Sequence, residues 1–250
     1  MKIGITIIAT NAYFPLGIRF IKKFKHYYKG DFEIIFFFFS DKNPLDFTNT
    51  DGVIWIKQNH NSWLEATNSK FNNILSIKDN VDYLYYFDAD TNINSDFTEQ
   101  WFLGDIVGGE HFGNNDWMKN EKPYDRNPKS MCYIPKDTKL KQTYYYGAFF
   151  GGKYDKVIDF CTILKNNQQI DKKNNYEPGV NDESYINHYF HYNPPSKIKT
   201  KDFKFIVSDK GGIEKTREVS LDVTNLNQKI KENKNKLFEI TNGELIVISN

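Results

Sequence analysis

The sequence predicts an α/β protein with a mostly parallel sheet, on three observations. Strand-like and helix-like stretches alternate over residues 2–90 as strand, helix, strand, strand, helix, strand. Two of the strand stretches are near-continuous apolar runs, Ile34 to Phe39 and Tyr83 to Phe87, as expected of strands covered on both faces. The chain has 250 residues, enough for one large domain or two small ones with a substantial core.

The first strand spans residues 2–10 and carries Ile3, Ile5, Ile7 and Ile8. Asn11, Ala12 and Tyr13 read as a turn, and Pro15 suits a helix start. Phe20, Ile21, Phe24, Tyr27 and Tyr28 recur at helical spacing, with Lys22, Lys23 and Lys25 on the other face. Residues 32–40 and 53–57 read as the second and third strands. Ser62-Trp63-Leu64-Glu65 has the form of a capping box, opening a helix to about Ile77 with Phe71, Ile74 and Leu75 inward. The fourth strand follows, over residues 81–90.

Past Asp90 the pattern loosens. Residues 104–137 are rich in Gly, Asn, Lys and Pro, and a stretch that long is usually functional or disordered. Residues 144–152 read as a strand ending in glycines. Gly147 and Ala148 remove bulk in its middle, for close approach of a ligand or for packing. Residues 153–169 read as a helix with Val157, Phe160, Cys161 and Leu164 inward, and Asn181-Asp182-Glu183-Ser184 opens another. In the tail, Val223, Leu226 and Ile230 have helical spacing. Residues 237–241 and 244–248 flank Asn242-Gly243, a hairpin signal.

The chemistry concentrates where the fourth strand ends. Asp88 and Asp90 stand one residue apart and point the same way if the strand stays extended. Two carboxylates held that close repel, and a hard cation such as Mg²⁺ or Mn²⁺ between them removes the repulsion. In open α/β sheets ligands sit beyond the carboxyl ends of strands, where this pair falls. The competing reading is a simple turn, for which Asp is common. Asp182 and Glu183 supply two more carboxylates, at a helix start that the dipole also favours for purely structural reasons.

Composition narrows the classes. Lys and Arg total 33 against 32 for Asp and Glu, so net charge argues for neither a nucleic-acid nor a membrane partner. Aromatics make up 16% and should line a core or a cleft. Cys132 and Cys161 fit no metal spacing and read as reduced core residues. The longest apolar run has six residues, far short of a membrane span, and no signal peptide is visible. There is no Asn-x-Ser/Thr acceptor, and a cytoplasmic protein is expected.

A metal site, a diphosphate and one free carboxylate together suit transfer from a nucleotide-sugar. Four motifs in order resemble glycosyltransferase family 6, which includes the blood-group A and B transferases and the α-1,3-galactosyltransferases. They are Tyr83-Leu84 through Asp88-Ala89-Asp90; Tyr124-Asp125-Arg126 with Tyr133-Ile134-Pro135; Tyr144-Tyr145 with Gly147-Ala148-Phe149-Phe150-Gly151-Gly152; and Asp182-Glu183-Ser184-Tyr185-Ile186-Asn187. The resemblance covers roughly residues 3–205. It implies a GT-A fold over residues 1–212, with a nucleotide-binding half to about residue 95 and an acceptor and donor-sugar half beyond it. Residues 213–250 form an extension of unassigned role.

The resemblance also implies a retaining transfer of galactose or N-acetylgalactosamine from a UDP-sugar to a galactoside, with an α-1,3 bond. Asp88 and Asp90 match the motif that holds Mn²⁺ against the diphosphate. Ile8, Ala9, Thr10 and Tyr13 fall where the family holds uracil and ribose, and Ala89 and Trp63 complete the nucleotide site. Glu183 matches the carboxylate beneath the anomeric carbon, and Asp182 a residue that binds the donor sugar. Lys70 stands where the family has an Arg, without its bidentate fork. His111 and Tyr146 fall in the acceptor region. Tyr146, Gly147 and Ala148 occupy the donor-sugar segment that separates galactose from N-acetylgalactosamine transfer, and Ala148 crowds the acetamido side, favouring UDP-galactose.

Two departures stand out. Val180-Asn181 replaces a Trp-His pair that touches the acceptor, and the family's basic tail has Lys210 as its only candidate substitute. Alternatives on the same platform are a metal-dependent UDP-sugar hydrolase, a nucleotidyltransferase, or a non-catalytic carbohydrate-binding module. The turn at Asn11-Ala12-Tyr13 lacks the Gly-rich phosphate loop that a nucleotidyltransferase would carry.

Overall fold

A computed structural model describes residues 1–44, 51–78, 81–93, 95–111, 122–136, 143–199, 205–206, 237–241 and 244–249. Its centre is a seven-stranded sheet in the order β3-β2-β1-β4-β7-β6-β8. The strands are β1 (Lys2–Ile8), β2 (Glu33–Ser40), β3 (Val53–Lys57), β4 (Tyr83–Asp88), β6 (Ile106–Glu110), β7 (Tyr145–Lys153) and β8 (Lys197–Lys199). β3, β2, β1 and β4 run parallel, β7 is antiparallel to β4 and β6, and β8 is parallel to β6. This mixed, mostly parallel sheet flanked by helices is consistent with a GT-A-type glycosyltransferase fold.

The period-two rule explains how the sheet acquires two cores. Ile3, Ile5, Ile7, Phe36, Phe38, Tyr85 and Phe87 face α1 (Phe14–Tyr27), meeting Phe20, Ile21 and Phe24. Phe37, Phe39, Leu84, Tyr86 and Phe150 face the opposite layer. There they meet Phe71 and Ile74 of α2 (Trp63–Ser76), Phe160 and Leu164 of α3 (Tyr154–Lys173), and Phe190 of α4 (Asn181–Tyr192). Both faces of β2 and β4 are covered, which is why these strands do not alternate in polarity. Asp88 follows Leu84 and Tyr86 in phase, so it emerges on the face that α2 covers.

The helix signals hold. Pro15 lies in the first turn of α1. The Ser62 hydroxyl accepts from the Glu65 backbone N–H at 3.1 Å, while Glu65 Oε2 accepts from the Asn61 N–H at 2.7 Å. The reciprocal half of the capping box therefore reaches one residue further back than its usual position. Cys132 and Cys161 are buried free thiols.

Three expectations change. The fourth strand stops at Asp88, and Thr91 N–H donates to the Asp88 carbonyl at 3.0 Å, so Ala89 and Asp90 lie in a turn. Extended geometry does not carry Asp88 and Asp90 to one face. Residues 104–137 are not irregular throughout, because β6 lies within them at the sheet's interior. Its Gly108-Gly109 weakened the strand signal, yet a Cβ on Gly108 would sit 3.0 Å from the Phe190 ring and 3.2 Å from Tyr145. The helix after β7 runs four residues past Gln169, to Lys173.

β5 (Asn92–Ile93) pairs with β9 (Phe205–Ile206), outside the main sheet. β10 (Leu237–Thr241) and β11 (Glu244–Ser249) pair antiparallel around the Asn-Gly signal. Lys210 and the spacing at Val223, Leu226 and Ile230 lie outside the described residues. Among the described residues, no helix is long and apolar enough to cross a membrane.

Candidate active site

The carboxyl end of β4 and the start of α4 face each other across a cavity of about 340 Å³. Ile8, Thr10, Tyr13, Trp63, Lys70, Asp88, Ala89, Asp90, His111, Tyr146, Gly147, Ala148, Asp182 and Glu183 all line it. Ala9 does not. Its side chain is fully buried in the α1 core, beside Gly17, and its N–H extends the sheet ladder to Phe39 at 2.8 Å. The alternation of β1 sends its neighbours Ile8 and Thr10 toward the cavity instead.

Lys70 ties the two ends together. It projects from α2 and is 3% exposed. Its ammonium donates to Asp182 Oδ2 at 2.5 Å and to the Gly147 carbonyl at 2.7 Å, and lies 3.6 Å from Asp88 Oδ1. Burial alone would lower its pKa, but the attraction of Asp182 and Asp88 outweighs burial and the net direction is upward. Burial pushes the Asp88 and Asp182 carboxyls up, and Lys70 opposes the rise in each.

Glu183 is held separately. Its Oε2 accepts the Gly147 backbone N–H at 2.7 Å. Burial raises its carboxyl pKa to about 7; the Gly147 N–H and the Tyr144 hydroxyl hold it down, while Asp182 adds to the rise. Tyr144 is fully buried against Tyr124, their ring centroids 5.5 Å apart. This gives the second motif a structural part. Arg126 Nη1 donates to the Ile134 and Pro135 carbonyls at 2.6 and 2.8 Å, and Tyr176 donates to Asp125 at 2.8 Å, fixing the loop that carries Tyr124.

The bareness of Gly147 is explained by the protein's own carboxylates. A Cβ there would come within 3.1 Å of both Asp182 Oδ2 and Glu183 Cβ. The packing alternative therefore accounts for Gly147, and the packing partners are the site's acids.

The Asp88–Asp90 turn is clamped from α1. Arg19 Nη2 donates to the Asp90 carbonyl at 3.3 Å, and Lys23 donates to Asn92 Oδ1 at 2.6 Å. At the other wall the His111 and Tyr146 rings stack 4.1 Å apart at 23°. Val180 and Asn181 line this region too. Asn181 has a φ of 44° and Asn11 a φ of 54°, left-handed conformations that Asn tolerates. Asn11 also donates to the His60 carbonyl at 2.8 Å, and Thr10 Oγ1 lies 3.1 Å from His60 Nδ1.

Asn11, Ser62, Ala66, Thr67 and Tyr86 line the cavity too, although the sequence marked none of them as a site residue. Only helical phase could have flagged Ala66 and Thr67, which share a face of α2 with Trp63 and Lys70.

No group of three or more His, Cys, Asp or Glu side chains forms a closed metal cage among the described residues. The donor set fits a different arrangement. Four carboxylates (Asp88, Asp90, Asp182 and Glu183) line the cavity, and Lys70 is the cationic side chain among its described lining residues. That charge repels an anionic ligand unless a cation arrives with it. Two carboxylates beside open space suit a hard divalent ion that shares its coordination with ligand phosphates.

Residues 1–229 match the model for Glycosyltransferase family 6. The chain is 28% identical over 215 residues to Globoside alpha-1,3-N-acetylgalactosaminyltransferase 1 of Gallus gallus, covering 81% of this chain and 61% of that protein. It is 27% identical over 228 residues to O-antigen biosynthesis glycosyltransferase WbnI of Escherichia coli, covering 84% and 95%. With Histo-blood group ABO system transferase 1 of Rattus norvegicus the identity is 26% over 212 residues, covering 80% and 60%. The chain thus spans about three-fifths of the length of these vertebrate relatives and nearly all of the bacterial one.

Proposed function

Since this chain belongs to glycosyltransferase family 6, we propose that it transfers galactose or N-acetylgalactosamine from a UDP-sugar to a galactoside-type acceptor, with retention and an α-1,3 linkage. The observation that carries the reading is the cavity itself, with an acidic turn at one end and, at the other, a part-buried acid whose pKa is raised to about 7. Such a cavity suits a substrate with a diphosphate at one end and a developing positive centre at the other. The similarity to the globoside alpha-1,3-N-acetylgalactosaminyltransferase of Gallus gallus supports the transfer and the linkage.

In this reading Asp88 and Asp90 hold Mn²⁺, with Mg²⁺ as the alternative. The ion, when bound, neutralises charge that builds on the departing diphosphate. Ile8, Thr10 and Tyr13 take the nucleoside, with Trp63 and Ala89 beside it. Lys70 keeps Asp182 ionised and oriented toward the donor sugar. The bond between the anomeric carbon and the diphosphate breaks, and its electron pair leaves on UDP. Glu183 stabilises the anomeric carbon or bonds to it; the acceptor oxygen then bonds to the face that the diphosphate left, any bond to Glu183 breaking as it does, and the acceptor's hydroxyl proton passes to the departed diphosphate. Ala148 narrows the donor-sugar wall, which favours galactose over its acetamido counterpart. His111 and Tyr146 stack into an aromatic wall on the acceptor side.

The test is to incubate the protein with Mn²⁺, UDP-galactose or UDP-N-acetylgalactosamine, and β-galactosides. An α-linked product by NMR supports the proposal. A β-linked product contradicts retention, and release of free sugar without transfer favours the hydrolase reading.

A further inference from the structure

We infer that Tyr86 is a positioning residue for the metal and diphosphate end of the site: its hydroxyl holds one oxygen of Asp88 and its ring seats the Lys70 ammonium. The inference rests on the reading of Asp88 as a metal ligand and gives Tyr86, otherwise one aromatic of the buried β4 run, a role of its own.

Tyr86 lies two residues before Asp88 on β4, so both side chains leave the same face of the strand. The Tyr86 hydroxyl donates to Asp88 Oδ1 at 2.8 Å. The Lys70 ammonium stands 4.4 Å from the centre of the Tyr86 ring and 3.6 Å from the same Oδ1. The ring is itself fixed, 4% exposed and stacked on Phe150 at 5.5 Å and 21°. One rigid side chain therefore sets both charges of the pair. With Oδ1 engaged by the Tyr86 hydroxyl and faced by the Lys70 ammonium, Asp88 has Oδ2 left for a cation. Partners behind a ligand orient it, and removing one typically costs about 10-fold or more in metal affinity. Lys70 has a flexible stem and no fork, so a fixed aromatic face beneath it restricts where its charge sits.

The test is Mn²⁺ binding in the presence of UDP, read as free Mn²⁺ by electron paramagnetic resonance, without turnover. Tyr86→Phe keeps the ring and removes the hydroxyl, and should weaken Mn²⁺ by roughly 10-fold. Tyr86→Leu should also weaken binding of the donor sugar, through loss of the Lys70 seat. In an Asp88→Asn background Tyr86→Phe should add no further loss, because its route to the ion is gone. Unchanged Mn²⁺ affinity in Tyr86→Phe, or an undiminished loss on top of Asp88→Asn, overturns the inference. Wild-type protein that binds no Mn²⁺ overturns the metal reading itself, a result distinct from either. If Tyr86→Phe does not fold, Tyr86→His, which retains a donor, is compared with Tyr86→Leu. Retained affinity in the former alone supports the inference, and equal affinities overturn it.

Discussion

The backbone N–H of Gly147 donates to Oε2 of Glu183 at 2.7 Å, while the Gly147 carbonyl accepts from Lys70 at the same distance. One peptide segment of β7 thus sets the position of a part-buried acid and of the site's ammonium together. A side chain at residue 147 would crowd Asp182 and Glu183, both 3.1 Å from the added carbon. Gly147→Ala should lower kcat by about 10-fold or more, since small misplacements of reacting groups are costly. Folding should be retained, as judged by thermal melting. Full activity in Gly147→Ala would mean the acids relax freely and are not held by β7.

Glu183→Gln should lower kcat by about 10²-fold or more with little change in UDP affinity, as the proposed action of its charge in the transition state requires. A loss confined to KM would make it a binding residue instead.

The raised pKa of Glu183 has a pH signature with a definite sign. Its folded value, about 7, lies above the ordinary 4.5, so the folded state holds the proton more tightly. The group's contribution to stability is full below about pH 4.5 and is lost as pH rises through 7, a difference of about 3 kcal/mol. In protein without ligand, Glu183→Gln should therefore melt higher than wild type at pH 8, and the gap should close at pH 5. With the ionised form as the proposed reactive one, wild-type kcat/KM should rise through an apparent pKa near 7. A pH-independent gap in melting temperature would contradict the raised pKa of Glu183.

Lys70→Met leaves the buried Asp182 carboxylate without its partner. Removing one member of a buried ion pair typically costs about 3–5 kcal/mol. Urea denaturation should show a loss of that order at pH 7.5. The loss should shrink toward pH 4, where the carboxylates of Asp88 and Asp182, already raised by burial, take up protons. An equal loss at both pH values would point to packing of the side chain, not to its charge.

Much of this architecture is legible in residue order. The twin apolar faces of β2 and β4 announce a covered sheet, Ser62 and Glu65 announce α2, and Asn242-Gly243 announces the β10–β11 pair. The convergence of Asp88, Asp90, Asp182 and Glu183 follows from a strand end and a helix start meeting at one cavity. What was hidden depends on contacts between distant segments. Gly108-Gly109 reads as loop, yet β6 pairs with β7 and β8, and Phe190 and Tyr145 crowd the place a Cβ on Gly108 would take. Ala9 reads like its neighbours, but β1 pleating turns it into the core. Tyr86 reads as one aromatic in a buried run, and its hydroxyl matters only because the strand continues two residues to Asp88. The shared face of Asp88 and Asp90 fails because the Thr91–Asp88 hydrogen bond bends the chain before the second aspartate.

The central claim is that the acidic turn binds a nucleoside diphosphate through a metal ion. Calorimetric titration of UDP into the protein, with and without Mn²⁺, tests it most directly. The expected result is binding that requires Mn²⁺ and is lost in Asp90→Asn while the variant still folds. No UDP binding under either condition, or equal binding without the metal and in Asp90→Asn, would contradict it.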